Sequence, residues 1–120
     1  NTLNALSTPE QLNWFLNETH LDLGYCFDTG HAHIREGIPA AFETMKDRIR
    51  STHIHDNDGR SDGHLFPFLS AGGSIDWAET MRLLRSRADQ YALLLELSED
   101  PEAPQPLEAA RRVFERLESL

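Results

Sequence analysis

Tyr25-Cys26-Phe27-Asp28-Thr29-Gly30-His31 is an apolar segment that ends abruptly in side chains able to do chemistry. The apolar-rich run opens at Leu21 and closes at Phe27, the length and composition of a buried strand, and Asp28 and His31 follow it. The same pattern recurs twice. Arg50 to His55 predicts a second strand, finishing in His53, His55 and Asp56. Tyr91 to Leu97 predicts a third, aliphatic except for Glu96. Helical signals lie between these runs. Thr8-Pro9-Glu10-Gln11 combines a capping residue with proline in the first turn, and Leu12, Phe15 and Leu16 then fall on one face. Pro39 to about Arg48 predicts a second helix with Phe42 and Met45 inward. Asp76 with Glu79 marks another start, before Trp77, Met81 and Leu84 on one face, and Arg82, Arg85 and Arg87 complement the negative end of that helix. Pro101, Pro104 and Pro106 mark a connection, and Leu107 to Leu120 predicts the last helix with Leu107, Ala110, Phe114 and Leu117 facing in. The order is α-β-α-β-α-β-α. Continuous apolar strands alternating with helices specify an α/β fold with a parallel sheet covered by helices.

Composition bounds the function. A chain of 120 residues is one unit, with no repeat or linker to divide it. Eleven Lys+Arg against twenty Asp+Glu give a formal charge of -9, which argues against a surface built to hold polyanions. Hydrophobic residues at 39% supply a core. Cys26 is the single cysteine, so an intrachain disulfide and a zinc site of several thiolates are excluded, and its place in a strand reads as core. No apolar run approaches ~18 residues and no export leader is seen, so no membrane span and a cytoplasmic location are expected. Lys46, the only lysine, sits mid-helix, which disfavours Schiff-base chemistry, and no Gly-x-Ser-x-Gly, phosphate-loop or dinucleotide pattern occurs.

What remains is a set of acids and imidazoles after the carboxyl ends of the three strands, the edge where parallel α/β folds bind ligands. Each alone has an ordinary explanation. Asp28-Thr29-Gly30-His31 fits a strand-to-helix turn, Asp62-Gly63-His64 fits turn chemistry, and Arg60 fits a solvated loop. His53 and His55 alternate onto one face, with Ile54 on the other. Glu96 within an aliphatic run must be paired, metal-bound or at the open strand end. Together they read as a mixed imidazole–carboxylate metal site, suited to Zn²⁺, Mn²⁺, Co²⁺ or Fe²⁺ better than Ca²⁺.

In order and spacing, Gly24 to His31, His53-Ile54-His55-Asp56-Asn57, Asp62-Gly63-His64-Leu65, Ser74-Ile75-Asp76-Trp77 and Leu95-Glu96 resemble the xylose isomerase-like TIM-barrel superfamily. That group includes sugar-phosphate isomerases and epimerases and also endonuclease IV. The resemblance implies that Asp28, His53 and Glu96 are ligands of a shared divalent ion (Zn²⁺, Mn²⁺, Co²⁺ or Mg²⁺). It implies a fourth ligand, a glutamate immediately before Asn1, with Asn1 as its neighbour. His31 matches a position used for a second metal or for substrate, and Asp62 with His64 match the pair that completes the multinuclear zinc site in the nuclease. The sequence departs at Ala71-Gly72-Gly73, where Gly-Glu-Gly is usual, and at the apolar Phe66-Pro67-Phe68-Leu69, in a loop that closes over the pocket in relatives.

A (β/α)₈ barrel needs ~250 residues. Residues 1–120 are therefore expected to be one unit, the C-terminal half of such a barrel: its fifth helix, then strands and helices six to eight. Its open strand edges and inner face predict a homo-oligomer or pairing with the missing half; a self-contained three-stranded α/β unit is the other architecture. The expected function is a metal-dependent isomerase or epimerase of a sugar or sugar phosphate, moving a proton through a metal-stabilised enediolate. Glu96 is the expected acid/base as well as a ligand, and His31 the catalytic partner that orients a substrate hydroxyl. Substrate contacts are expected from His31, His55 and Arg60, the last to a phosphate or carboxylate. The rivals are an endonuclease IV-type phosphodiesterase, which the six residues Asp28, His31, His53, Asp62, His64 and Glu96 favour but the acidic balance opposes, and a truncated fragment that binds metal without turnover. Nucleic acid is not an expected partner.

Overall fold

The computed structural model describes residues 8–87, 92–101 and 103–120. Asn1 and Tyr91 lie outside the described residues. The alternation expected from sequence is present, with one added helix: α1 (Pro9–Glu18), β1 (Tyr25–Asp28), α2 (Thr29–Ile34), α3 (Ile38–Met45), β2 (Ile49–Ile54), α4 (Trp77–Arg85), β3 (Ala92–Leu95) and α5 (Pro106–Glu118). A 3₁₀ turn, Lys46–Arg48, leads α3 into β2. Two helix starts follow their capping chemistry: the Thr8 side chain accepts from the Gln11 amide, and Asp76 from the Glu79 amide.

The three strands form a parallel sheet in the order β1-β2-β3. Its register places Asp28 beside His53 and His53 beside Leu94, and the Glu96 amide donates to the Ile54 carbonyl at 3.1 Å. The acids and imidazoles at the three strand ends therefore stand in adjacent rows. One sheet face sends Tyr25, Phe27 and Ile54 into a core shared with Phe42, Met81 and Leu117. Phe27 and Phe42 meet edge to face, centroids 6.0 Å apart, the arrangement the ring quadrupoles favour.

The opposite face is open. Cys26 is exposed on it rather than part of the core, because strand alternation turns it away from Tyr25 and Phe27. Leu94, 57% exposed, lies on that side too.

Several apolar side chains fall on faces other than those the periodicity suggested. Leu21 and Leu23 are exposed, because β1 begins only at Tyr25. Phe15 is partly exposed while Leu16 is buried. On α5 the inward residues are Ala109, Val113 and Leu117, whereas Leu107 and Phe114 are exposed. The helix carries two apolar stripes, and the sheet here covers one. Arg85 does not serve its own helix end: it donates to the carbonyls of Leu117 and Glu118 at 3.2 and 2.9 Å, stabilising the negative end of α5. Arg87 lies past α4 and pairs with Asp47. The apolar stretch beyond β2 is anchored inward, with Phe66 and Pro67 buried and Phe68 held between Trp77 and the Arg116 guanidinium, which lies 4.2 Å from its ring centroid.

Leu117 is 0% exposed and Leu107 is 87% exposed, so the two α5 leucines separate the alternative faces. Leu117→Ala is expected to cost about 2–5 kcal/mol through lost burial and a cavity. Leu107→Ala should change stability by no more than about 0.5 kcal/mol. Urea unfolding of both variants measures this; equal costs would contradict the assigned face.

Candidate functional site

The site is assembled at the carboxyl ends of the strands by residues that each have a local reason to be there. Asp28 ends β1 and caps α2, its Oδ1 accepting from the His31 amide at 2.8 Å. Thr29 ties the first two strand ends together: its hydroxyl donates to the His55 carbonyl at 2.9 Å and accepts from the His55 amide at 3.1 Å. Gly30 is required for space, since a Cβ there would lie 2.0 Å from His55 Cε1. The His55 ring is thus seated directly on the backbone of the α2 start, 0% exposed.

The sequence-derived site residues meet in a closed ring. His55 Nε2 is 3.0 Å from Asp28 Oδ1, and His31 Nδ1 is 3.2 Å from Asp28 Oδ2. His31 Nε2 reaches Asp62 Oδ2 at 3.1 Å, and His64 Nε2 reaches Asp62 Oδ1 at 3.3 Å. His53 Nδ1 lies 2.8 Å from Glu96 Oε2 and 3.5 Å from Asp28 Oδ2, so those three residues, far apart in sequence, share one space. Arg60 is not brought in. It is exposed, its amide is taken by Asp58, and its side chain makes no hydrogen bond or ion pair among the described residues. The cation beside the cluster is Arg35, which sequence reading passed over; it lines a cavity of about 340 Å³ together with Asp28, His31 and Cys26.

Proton placement shows what the ring lacks. His64 lies between two acceptors, its Nδ1 3.2 Å from the Glu96 carbonyl and its Nε2 3.3 Å from Asp62 Oδ1. In neutral His55 the hydrogen bond to Asp28 places the proton on Nε2 and leaves Nδ1 bare, buried, without a hydrogen-bond partner and 4.0 Å from the same Asp62 oxygen. The two rings stack at 4.0 Å with an interplanar angle of 4°. A buried imidazole nitrogen without a hydrogen-bond partner, beside a carboxylate that a second imidazole also faces, leaves a position that a cation would fill. The donor set fits a divalent ion. His55, Asp62 and His64 offer ligand atoms within 4.8 Å of one another, as do Asp28, His55 and Glu96, close to the span of two metal–ligand bonds of about 2.0–2.3 Å.

The titration of the central pair agrees. Burial alone would raise the Asp28 carboxyl, but the His55 hydrogen bond and the His31 amide outweigh it and hold the group below its ordinary value. Burial alone would lower His55, but the hydrogen bond to Asp28 and the charges of Asp28, Asp62 and Glu96 raise it. Acids that draw a second proton toward this imidazole draw a metal cation for the same reason.

His64 has φ +47°, a left-handed conformation uncommon for a side-chain-bearing residue, and this turns its ring onto His55. Sequence reading gave no role to Gly30, Thr29, Asn57 or Trp77. Their signal is faint: Asn57 stands in an unbroken polar triplet after a strand, and Trp77 follows a helix cap. Asn57 is buried, donating to the Gly30 carbonyl at 2.9 Å and accepting from the Gly59 amide at 2.9 Å.

Known proteins share this architecture. The sequence profile described as xylose isomerase-like TIM barrel matches residues 2–120. Inosose dehydratases of Erwinia tasmaniensis and Yersinia enterocolitica are 27% and 25% identical over 124 residues, covering 88% of this chain and 42% of each relative. Uncharacterized protein y4fM of Sinorhizobium fredii is 45% identical over 56 residues, 46% of this chain and 17% of that protein. The crystal structure of a D-tagatose 3-epimerase-like protein matches with a TM-score of 0.70 and 28% identity, covering 94% of this chain and 43% of that one. The chain thus spans less than half the length of these relatives. Matched by that profile over residues 2–120, the chain belongs to the xylose isomerase-like TIM barrel family.

Proposed function

We propose that this chain is the C-terminal half of a divalent-metal-dependent enzyme that moves a proton beside a carbonyl of a sugar, sugar phosphate or related polyol, as an isomerase or epimerase. The observation that carries the reading is the convergence of Asp28, His53 and Glu96 at three strand ends, beside the unpartnered His55 Nδ1 that faces Asp62. The relatives support the substrate class. An epimerase and a dehydratase acting on polyhydroxylated ketones both begin by removing a proton next to a carbonyl.

A bound divalent ion (Zn²⁺, Mn²⁺, Co²⁺ or Mg²⁺) supplies Lewis-acid polarisation of a substrate oxygen, with Asp28, His53 and Glu96 as its first holders. Glu96 is the proposed base: its carboxylate is half-exposed at the open end of β3, 2.8 Å from His53. His31, the most exposed imidazole of the ring, orients a substrate hydroxyl. His55 is buried and acts through Asp28, holding one carboxylate oxygen so that the other faces the centre. Arg35 on the cavity wall takes the role of anion contact, since Arg60 touches nothing in the cluster. The second reading, a phosphodiesterase of the endonuclease IV type, is favoured by the His31–Asp62–His64 contacts, which would hold a further ion; the formal charge of -9 and the sugar-type relatives weigh against it.

The open sheet face with Cys26 and Leu94, and the unpaired outer edges of β1 and β3 among the described residues, support pairing with a complementary set of strands that closes the barrel. No helix among the described residues is long and apolar enough to cross a membrane, and a cytoplasmic location is part of the proposal.

Two measurements test this. The barrel completed with its other strands should exchange deuterium from heavy water into a ketose in the presence of Mn²⁺ or Co²⁺, and Glu96→Gln should slow exchange by about 10²–10⁴-fold, the usual worth of a general base. Undiminished exchange would remove Glu96 from that role. Light scattering on the chain alone should report dimers or larger species, or a stoichiometric complex once the complementary strands are added; a well-folded monomer indifferent to them would contradict the pairing.

A further inference from the structure

His55, Asp56 and Asn57 are three consecutive polar residues, 0%, 2% and 0% exposed. His55 serves Asp28 and Asn57 serves the Gly30 turn, but Asp56 touches none of the acids or imidazoles. Its carboxylate is instead filled by neutral N–H donors. Oδ1 accepts from the amides of Asn57, Ser74 and Ile75 at 2.8, 2.9 and 3.1 Å, and Oδ2 accepts from the Trp77 indole at 2.7 Å. Its backbone pairs with Leu65 in both directions, each at 2.9 Å. Gly73 packs so closely that a Cβ there would lie 2.7 Å from Asp56 Oδ2.

One residue therefore grips the loop after β2 at its start, its middle and its end. The stretch between the first two grips, 58–64, carries Asp62 and His64. A carboxylate suits this task because it offers acceptors on both oxygens and no donor, and here four N–H groups converge on it. Burying it for loop closure alone is an expensive choice unless its four donors stay in place. We propose that Asp56 is a positioning residue, which locks the 57–74 loop so that Asp62 and His64 stand against His55 and complete a second cation position. This deepens, and rests on, the metal-site reading above.

The test compares the unmodified chain with Asp56→Asn and Gly73→Ala. The Asn amide keeps one acceptor but turns a donor toward either the Trp77 indole or the three backbone amides, while the alanine methyl displaces the same carboxylate from the exposed side of the loop. Hydrogen exchange without metal should show faster exchange confined to 57–74, with β1 and β2 unchanged. Titration with cobalt(II) alone, followed by its visible absorption, should show two steps in the unmodified chain. Both variants should weaken the second by about 10–100-fold and the first by less than about threefold, the range for losing a supporting partner of a ligand. Unchanged loop exchange, or loosening spread equally through the strands, would overturn the proposal, as would equal weakening of both cobalt steps. If the unmodified chain takes up no cobalt, the metal reading fails, and the exchange pattern alone decides whether Asp56 positions the loop.

Discussion

The hydrogen bond between His55 and Asp28 is the constraint from which the rest of the site follows. It joins the end of β2 to the end of β1 at 3.0 Å, with the imidazole fully buried and the carboxylate mostly so, where an unpaired carboxylate would be costly. The imidazole needs room, so position 30 carries no side chain, and Thr29 bonds both backbone groups of His55 to keep the ring at that depth. With Asp28 fixed on one oxygen, its second oxygen lies toward His31 and His53, and through them toward Asp62 and Glu96. A parallel sheet makes this possible because its strands all end on the same side.

Three acids, Asp28, Asp62 and Glu96, are interleaved with four imidazoles in this ring. Hydrogen bonding satisfies part of the set, but the buried His55 Nδ1 has no hydrogen-bond partner and faces Asp62 at 4.0 Å. The apolar face behind the site, with Leu94 and Cys26 in water, is equally incomplete, consistent with a chain spanning 43% of a structural relative.

What was legible in the sequence, and what was not, follows from the range of the interactions. Asp28 and Glu96 stood out because each polar residue interrupts or ends an apolar run, a local contrast that strand burial creates, and His53 because it alternates with His55 at a strand end. The caps at Thr8 and Asp76 were legible for the same reason, since a cap acts over three residues. The inward face of α5 was misread: Leu107 and Phe114 form a second apolar stripe that this sheet does not cover, and periodicity does not say which neighbour a stripe will meet. Cys26 was misread because alternation assigns a face, and only the assembled sheet shows that the face is open. Asp56 was visible as a polar residue but not as a clamp, because its partners are amides 18 and 19 positions away that no side-chain pattern marks.

The central claim is that these acids and imidazoles surround shared cations. Anomalous X-ray scattering measured at a zinc or manganese edge, from crystals of the chain together with the complementary strands proposed above, tests it most directly. The account predicts a peak bounded by Asp28, His53 and Glu96, with a second beside His55, Asp62 and His64 when metal is in excess. Crystals soaked in saturating metal that show no peak among these residues, with the side chains in the same ring, would contradict it.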